Sequence, residues 1–285
     1  MPELPEVEVV RIFLEQALLG KTITDFEILN SKSFVGDPNK LIGQSITSFS
    51  RHGKQLSITL SGGELLLVHL KMTGQLILQK KSQKTIMGHP TKDMFSTSLP
   101  NKSTRLIFHF DDTLLYFNDQ RIFGWIKIFS KKELSLFQSP LGLDILDPDF
   151  TPKYLFSQLQ RSQRAVKLSL LDQHFFAGIG NIYANDALFL SNIHPLSVSK
   201  NLTLKDCTLL HKHLLSIMKS SIAAGGSTMK DNKYLRPDGT TGSNQFNFQV
   251  YQKKGQPCPK CQTPIESIKV GGRGTFFCPS CQKIL

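Results

Sequence analysis

The 285-residue chain carries 34 Lys and Arg against 22 Asp and Glu, a formal charge of +12, and 40% hydrophobic residues. That length suits about two domains. The apolar content excludes wholesale disorder, and no apolar run approaches the roughly 18 residues of a membrane-spanning helix. The basic excess is silent about fold but points to a polyanionic partner, a nucleic acid or an anionic surface.

The first twenty residues set Leu4, Val7, Val10, Leu14, Ala17 and Leu18 at helical spacing, with Pro5 in the first turn, where its missing donor costs nothing. Glu3, Glu6 and Glu8 precede the first basic residue, the reverse of a secretory signal, so a cytoplasmic location and no membrane partner are expected. From Ile23 to Phe129 short apolar or alternating runs dominate: LSITL (56–60), ELLLVHL (64–70), TRLIFHF (104–110) and TLLYF (113–117). Gly62-Gly63 and Asp111-Asp112 read as hairpin turns between them. A helix followed by hairpins predicts a β-sandwich or barrel with a helix against it. The polar stretch 79–103 reads as a surface excursion.

Three prolines in SPLGLDILDPDFTP (139–152) mark a linker, after which the period becomes helical. Helices are expected around 154–159, 166–171, 180–190 and 207–225, the last stopping at Gly225-Gly226. Residues 227–250, with Lys230, Lys233 and Arg236, read as a mobile loop. The expected organisation is multidomain α+β: 1–135 as helix plus β-sandwich, 136–150 as linker, 151–250 as a helical domain and 251–285 as a cysteine module.

In that module Cys258, Cys261, Cys278 and Cys281 form two C-x2-C pairs sixteen residues apart. Two such pairs can each grip one ion from a tight turn, and four thiolates suit tetrahedral zinc. Between them two short strands meet at Gly271-Gly272, predicting a zinc-clipped β-hairpin with Arg273 near its tip. A purely structural staple, a hairpin that also contacts DNA through Arg273, and an iron–sulfur site are the alternatives left open. Cys207, alone on an apolar helix, reads as a core residue.

The amino terminus is the other specific signal. Removal of Met1 would expose Pro2 as a secondary amine able to attack the C1′ carbon of a sugar and form an iminium. Glu3 would lie beside it and Glu6 one turn on. By composition alone, Pro and Glu at a helix start are ordinary.

Here a resemblance adds to the residues. MPELPEVE, RHGK (51–54), HLKMTG (69–74), DQRIFG (119–124), LLDQHFFAGIGNIYANDALF (170–189), GGSTMKD (225–231), VYQKKGQPCPKC (250–261) and GRGTFFCPSC (272–281), in this order, resemble the formamidopyrimidine-DNA glycosylases. The resemblance implies a helix-two-turn-helix fold for the helical domain, with a lesion-recognition loop at about 226–247. It implies excision of oxidised purines from duplex DNA, and lyase action at abasic sites, by a monomer with one structural Zn²⁺ at work in a bacterial nucleoid.

It assigns Pro2 as nucleophile, Glu3 as the acid in sugar ring opening, Glu6 as a supporting residue and Lys54 as a group approaching the target nucleotide. Met72, Arg121 and Phe123 become a wedge that fills the gap left by an extruded nucleotide, with Lys167, Asn181 and Arg273 as phosphate contacts. Without it, Met72 and Phe123 would be read as core, Arg121 as an ion-pair partner of Asp119, Asn181 as an N-cap and Lys54 as an exposed lysine. Lys71 and Gln252-Lys253 depart from the family pattern. A pyrimidine-directed endonuclease VIII-like enzyme and a non-catalytic DNA-binding relative are the rival readings.

Overall fold

The computed structural model describes residues 2–80, 99–227 and 242–285. Most of the predicted 79–103 excursion, and 228–241 of the predicted recognition loop, lie outside the described residues. Two compact units are present, one of residues 1–139 with 221–245, the other of 140–220 with 246–285.

In the first unit helix α1 (Leu4–Leu18) presents Val7, Val10, Leu14 and Leu18, each at most 3% exposed, to a core shared with two sheets. One sheet has five strands in the order β2 (Phe34–Val35), β9 (Trp125–Phe129), β5 (Leu65–His69), β4 (Gln55–Leu60), β3 (Ile46–His52). The other has four, β1 (Asp25–Ile28), β7 (Thr104–His109), β8 (Thr113–Asp119) and β6 (Gly74–Lys80). Strict alternation sends Leu56, Ile58, Leu66, Val68, Leu76, Leu78, Leu106, Phe108, Leu115 and Phe117 into one core, the pattern of a sandwich with one inner face per sheet. Helix α2 (Lys131–Gln138) follows β9 behind a Ser130–Glu133 capping box.

The second unit holds α3 (Pro152–Gln160), α4 (Val166–Leu171), α5 (Asn181–Leu190) and most of α6 (Leu204–Ala223). Much of the expected linker is built into this unit. Strand β10 (Leu143–Asp144) pairs in parallel with β11 (Phe176–Ala177), and Ile145 and Phe150 are buried, because their apolar side chains outweigh the surrounding prolines. Strands β12 (Glu266–Val270) and β13 (Arg273–Phe277) form the expected hairpin. Among the described residues no helix is long and apolar enough to cross a membrane.

Candidate active site and zinc module

The start of α1 is built from its own chain. Glu3 occupies the N-cap in extended conformation, and Glu3 and Glu6 form a reciprocal capping box, with the Glu3 N–H donating to Glu6 Oε2 at 2.9 Å. Glutamate is not a favoured N-cap residue. Pro2 is buried, and Glu3 and Glu6 are 4% and 3% exposed, so the segment is set inside the unit and not left as a frayed end. The other Glu6 oxygen, Oε1, accepts the Ser227 N–H at 3.0 Å. With both oxygens engaged, Glu6 positions its neighbours. The two described ends of the 226–247 segment close on each other beside it, where Asn244 Nδ2 donates to Ser227 Oγ at 2.9 Å.

Lys54 sits in the tight turn between β3 and β4 and is 9% exposed, not the exposed lysine of the bare sequence. Its turn is tied to α1 through Arg51, whose Nε donates to Glu8 Oε2 at 2.8 Å and whose guanidinium also donates to Gly53 O at 2.9 Å. Arg11 donates to Glu8 Oε1. Burial pushes the Glu8 carboxyl up, but hydrogen bonds and charge from Arg11 and Arg51 outweigh it and hold the group below the usual range. Sequence reasoning missed Glu8 and Arg51 as a brace. The only signal was Arg51 opening the RHGK motif.

His69 was missed as well. Desolvation, with the charges of Lys71 and Lys54 adding, lowers its pKa to about 3. Its Nδ1 accepts the Lys71 N–H at 3.1 Å, which places the ring proton on Nε2.

The wedge candidates are not core. Met72 is 42% and Phe123 51% exposed, and the Arg121 guanidinium lies 4.8 Å from the Phe123 ring centroid. Arg121 does not ion-pair with Asp119. That carboxylate takes backbone amides instead, including the Phe123 N–H at 2.8 Å.

In the second unit Asn181 opens α5, but the N-cap is Gly180. Asn181 Nδ2 donates to Gly274 O at 3.1 Å. Lys167 is fully buried, with Nζ donating to the same Gly274 O at 2.9 Å and to Thr275 Oγ1 at 2.6 Å. These bonds tie its charge to the hairpin, whereas Arg273, one residue before Gly274, is exposed. Asn185 Oδ1 accepts the Phe276 N–H at 2.7 Å and fastens the hairpin to α5. Asp186 accepts the N–H groups of Gln249, Val250 and Tyr251, securing the chain that leads into the module.

The four cysteine sulfurs lie within 4.8 Å of one another. Separations of 3.9 Å (Cys258–Cys281), 3.5 Å (Cys261–Cys278) and 3.4 Å (Cys261–Cys281) are far beyond a disulfide. They fit a tetrahedron of Zn–S bonds, whose edge is about 3.8 Å. The Lys260 N–H points at Cys258 Sγ and the Cys281 N–H at Cys278 Sγ, each at 3.4 Å, as thiolate acceptors require. Lys260 Nζ caps the end of α5 through the Phe189 and Leu190 carbonyls. Cys207 stands apart, buried, its thiol pushed up to about 12 by desolvation and the Asp206 charge.

Three family models match these parts in order. They are the formamidopyrimidine-DNA glycosylase N-terminal domain over residues 1–126, the H2TH domain of the same enzymes over 141–233, and the zinc finger found in FPG and IleRS over 255–284. A sandwich with a leading helix, a helix-two-turn-helix unit and a four-cysteine zinc finger holding one structural zinc define a DNA glycosylase of the zinc-finger class. The chain belongs to the formamidopyrimidine-DNA glycosylase family. The formamidopyrimidine-DNA glycosylase of Chloroflexus aurantiacus is 38% identical over 99% of this chain and 98% of its own. That of Listeria innocua is 37% identical over 99% and 100%. Among solved structures, the Lactococcus lactis Fpg in complex with an abasic site-containing DNA superposes with a TM-score of 0.87 at 32% identity, covering 99% of this chain and all of that one. MutM in complex with carbocyclic 8-oxo-G-containing DNA gives 0.86 at 32%, with the same coverage.

Proposed function

We propose that this enzyme excises oxidised purines from duplex DNA and then cleaves the resulting abasic site, with Pro2 as nucleophile. The observation that carries the reading is the start of α1, where a proline that follows the initiator methionine and an N-cap glutamate are both buried and braced by Glu6. Burying a carboxylate is costly unless it is hydrogen-bonded, and here two are kept buried beside the candidate nucleophile. The neighbours bound to abasic-site, 8-oxo-G and Fapy-dG DNA supply the substrate class. An enzyme acting on chromosomal DNA would work in the nucleoid.

Duplex DNA hides C1′, so the damaged nucleotide is extruded first. Once Met1 is removed, the Pro2 nitrogen attacks C1′. The bond from C1′ to the base breaks, the base leaves with the proton that the attacking secondary amine gives up, and the sugar ring opens to the iminium with a proton delivered to its ring oxygen by Glu3. The nitrogen–C1′ iminium then acidifies the C2′ proton. Its loss expels the 3′ phosphate, and a second elimination expels the 5′ phosphate. Lys54, held by the Arg51–Glu8 brace, is the cation nearest in role to the target's phosphate. Met72, Arg121 and Phe123 fill the emptied stack, Phe123 and Met72 by apolar contact and Arg121 by hydrogen bonding to the widowed base. Lys167, Asn181 and Arg273 set the register on the phosphates, Arg273 directly and Lys167 by holding the hairpin that carries it.

Borohydride trapping on duplex DNA containing 8-oxoguanine tests this. The expected product is a covalent adduct that mass spectrometry places on Pro2. An adduct on Lys54, or strand cleavage with no adduct where a known lyase traps, overturns the mechanism.

A further inference from the structure

The two wedge loops present an energetic problem. Met72 and Phe123 point their apolar side chains outward, so burial does not hold the loops in place. Each is preceded by a residue in the left-handed region, Lys71 at φ 51° and Ile122 at φ 56°. A β-branched residue there is strained and persists only when its surroundings over-determine it.

What over-determines it is Asp119. This residue ends β8 opposite Gly74 and is fully buried. Its Oδ1 accepts the Thr73 hydroxyl, from the Met72 loop, and the Arg121 N–H at 3.2 Å, from the other loop. Its Oδ2 accepts the Phe123 N–H at 2.8 Å and the Gly124 N–H at 2.6 Å. The Arg121 N–H is shared with Thr73 Oγ1 at 3.1 Å, closing the link between loops. The Asp119 main chain is itself fixed, its N–H donating to Ser103 O at 2.8 Å and its carbonyl accepting Arg105 Nε at 2.8 Å. The loops close too tightly for side chains, since a Cβ on Gly74 would lie 2.3 Å from Leu70 O and one on Gly124 2.9 Å from Phe117.

We infer that Asp119 is the positioning residue of the wedge, a buried carboxylate that cross-links the two loops so that Met72, Arg121 and Phe123 enter DNA as one preorganised unit. The inference rests on the wedge reading above. A carboxylate is the group for this place because it accepts from a hydroxyl and three amides at once and donates nothing. An amide of the same shape must turn a donor toward one of these N–H groups.

The test compares single-turnover excision from a fully paired duplex with excision from a target placed in an unpaired bulge. Asp119→Asn should lower the paired rate about tenfold or more, while the bulged rate changes much less, because an unpaired base needs less help to leave the stack. Thr73→Val removes one arm only and should show the same asymmetry, smaller, in a protein whose fold is less at risk. In a double-mutant cycle, Asp119→Asn on a Phe123→Ala background should add little, since both act through one wedge. If Met72→Ala and Phe123→Ala depress both substrates equally, the wedge reading fails. If they show the asymmetry while Asp119→Asn and Thr73→Val depress both substrates equally or neither, the wedge stands and the role of Asp119 is refuted.

Discussion

At the start of α1, the buried carboxyl groups are neighbours in the chain. Glu3 and Glu6 are three residues apart and cap one another, and Ser227 reaches Glu6 from a distance. Beneath the zinc hairpin the buried charge of Lys167 reaches Gly274 and Thr275, 107 and 108 residues away. The first arrangement leaves Glu3 next to the amine proposed as the nucleophile. The second uses a cation as a strut and leaves the neighbouring Arg273 exposed to meet an anion. A buried ionisable group therefore has two meanings in this molecule, and the partner atoms distinguish them. Lys167 ends on a carbonyl and a hydroxyl of the hairpin, which are structural acceptors, whereas Glu3 sits at an N-cap that other residue types serve better.

The difference can be broken at its strongest point by removing the metal. Cys258→Ser should abolish stoichiometric zinc and unfold the hairpin module, because structural zinc contributes about 10–16 kcal/mol of apparent binding energy to such a fold. Melting followed alongside metal content checks this. Full stability with no zinc would show that packing against α5 alone holds the hairpin.

Next in size is Glu3→Gln, which keeps the shape and loses the proton. Excision should fall by about 10²–10⁴-fold with damaged-DNA affinity nearly unchanged, read from single-turnover rates and binding isotherms. Equal loss of binding and rate would make Glu3 a structural cap like Glu6.

Lys167→Met and Arg273→Ala sharpen the contrast within the second unit. Lys167→Met should destabilise by about 1.5–3 kcal/mol, the range for hydrogen bonds to a charged group, and weaken damaged and undamaged duplex alike without changing the salt slope. Arg273→Ala should leave the melting temperature unchanged and reduce the salt slope by about 1. If the two variants exchange these signatures, Lys167 is the phosphate contact and the hairpin needs no strut.

The effect least visible at neutral pH concerns His69. The folded ring stays neutral down to about pH 3, whereas the unfolded chain protonates near 6.5. The stability tied to this group is therefore full above about 6.5 and is lost as the pH falls from there toward 3. Imidazole signals of His69 should stay constant between about pH 8 and 5. A titration midpoint near 6.5 would place the ring in water, away from Lys54 and Lys71.

Much of the molecule was legible from local pattern. The α1 stripe, the hairpins at Gly62-Gly63 and Asp111-Asp112, and the cysteine spacing all express interactions within a few residues or one turn, so spacing alone carries them. The same holds for the Glu3–Glu6 pair, whose capping geometry is a matter of three residues. Spacing misjudged the stretch 140–150, because Pro and Asp mark turns whether or not Ile145 and Phe150 are buried beyond them.

Several things were decided only by tertiary structure, since each depends on which distant group arrives. Met72 and Phe123 have the composition of core residues, and only left-handed turns held by Asp119 put them outside. Arg121 and Asp119 are two residues apart, yet folding gives the carboxylate to backbone amides and the guanidinium to a phenyl ring. Lys167 looks in sequence like any cation on a basic protein. Its burial against Gly274 exists only once the hairpin has folded onto α4 and α5, because the free energy of a charge is set by the acceptors around it and not by the residues beside it in the chain.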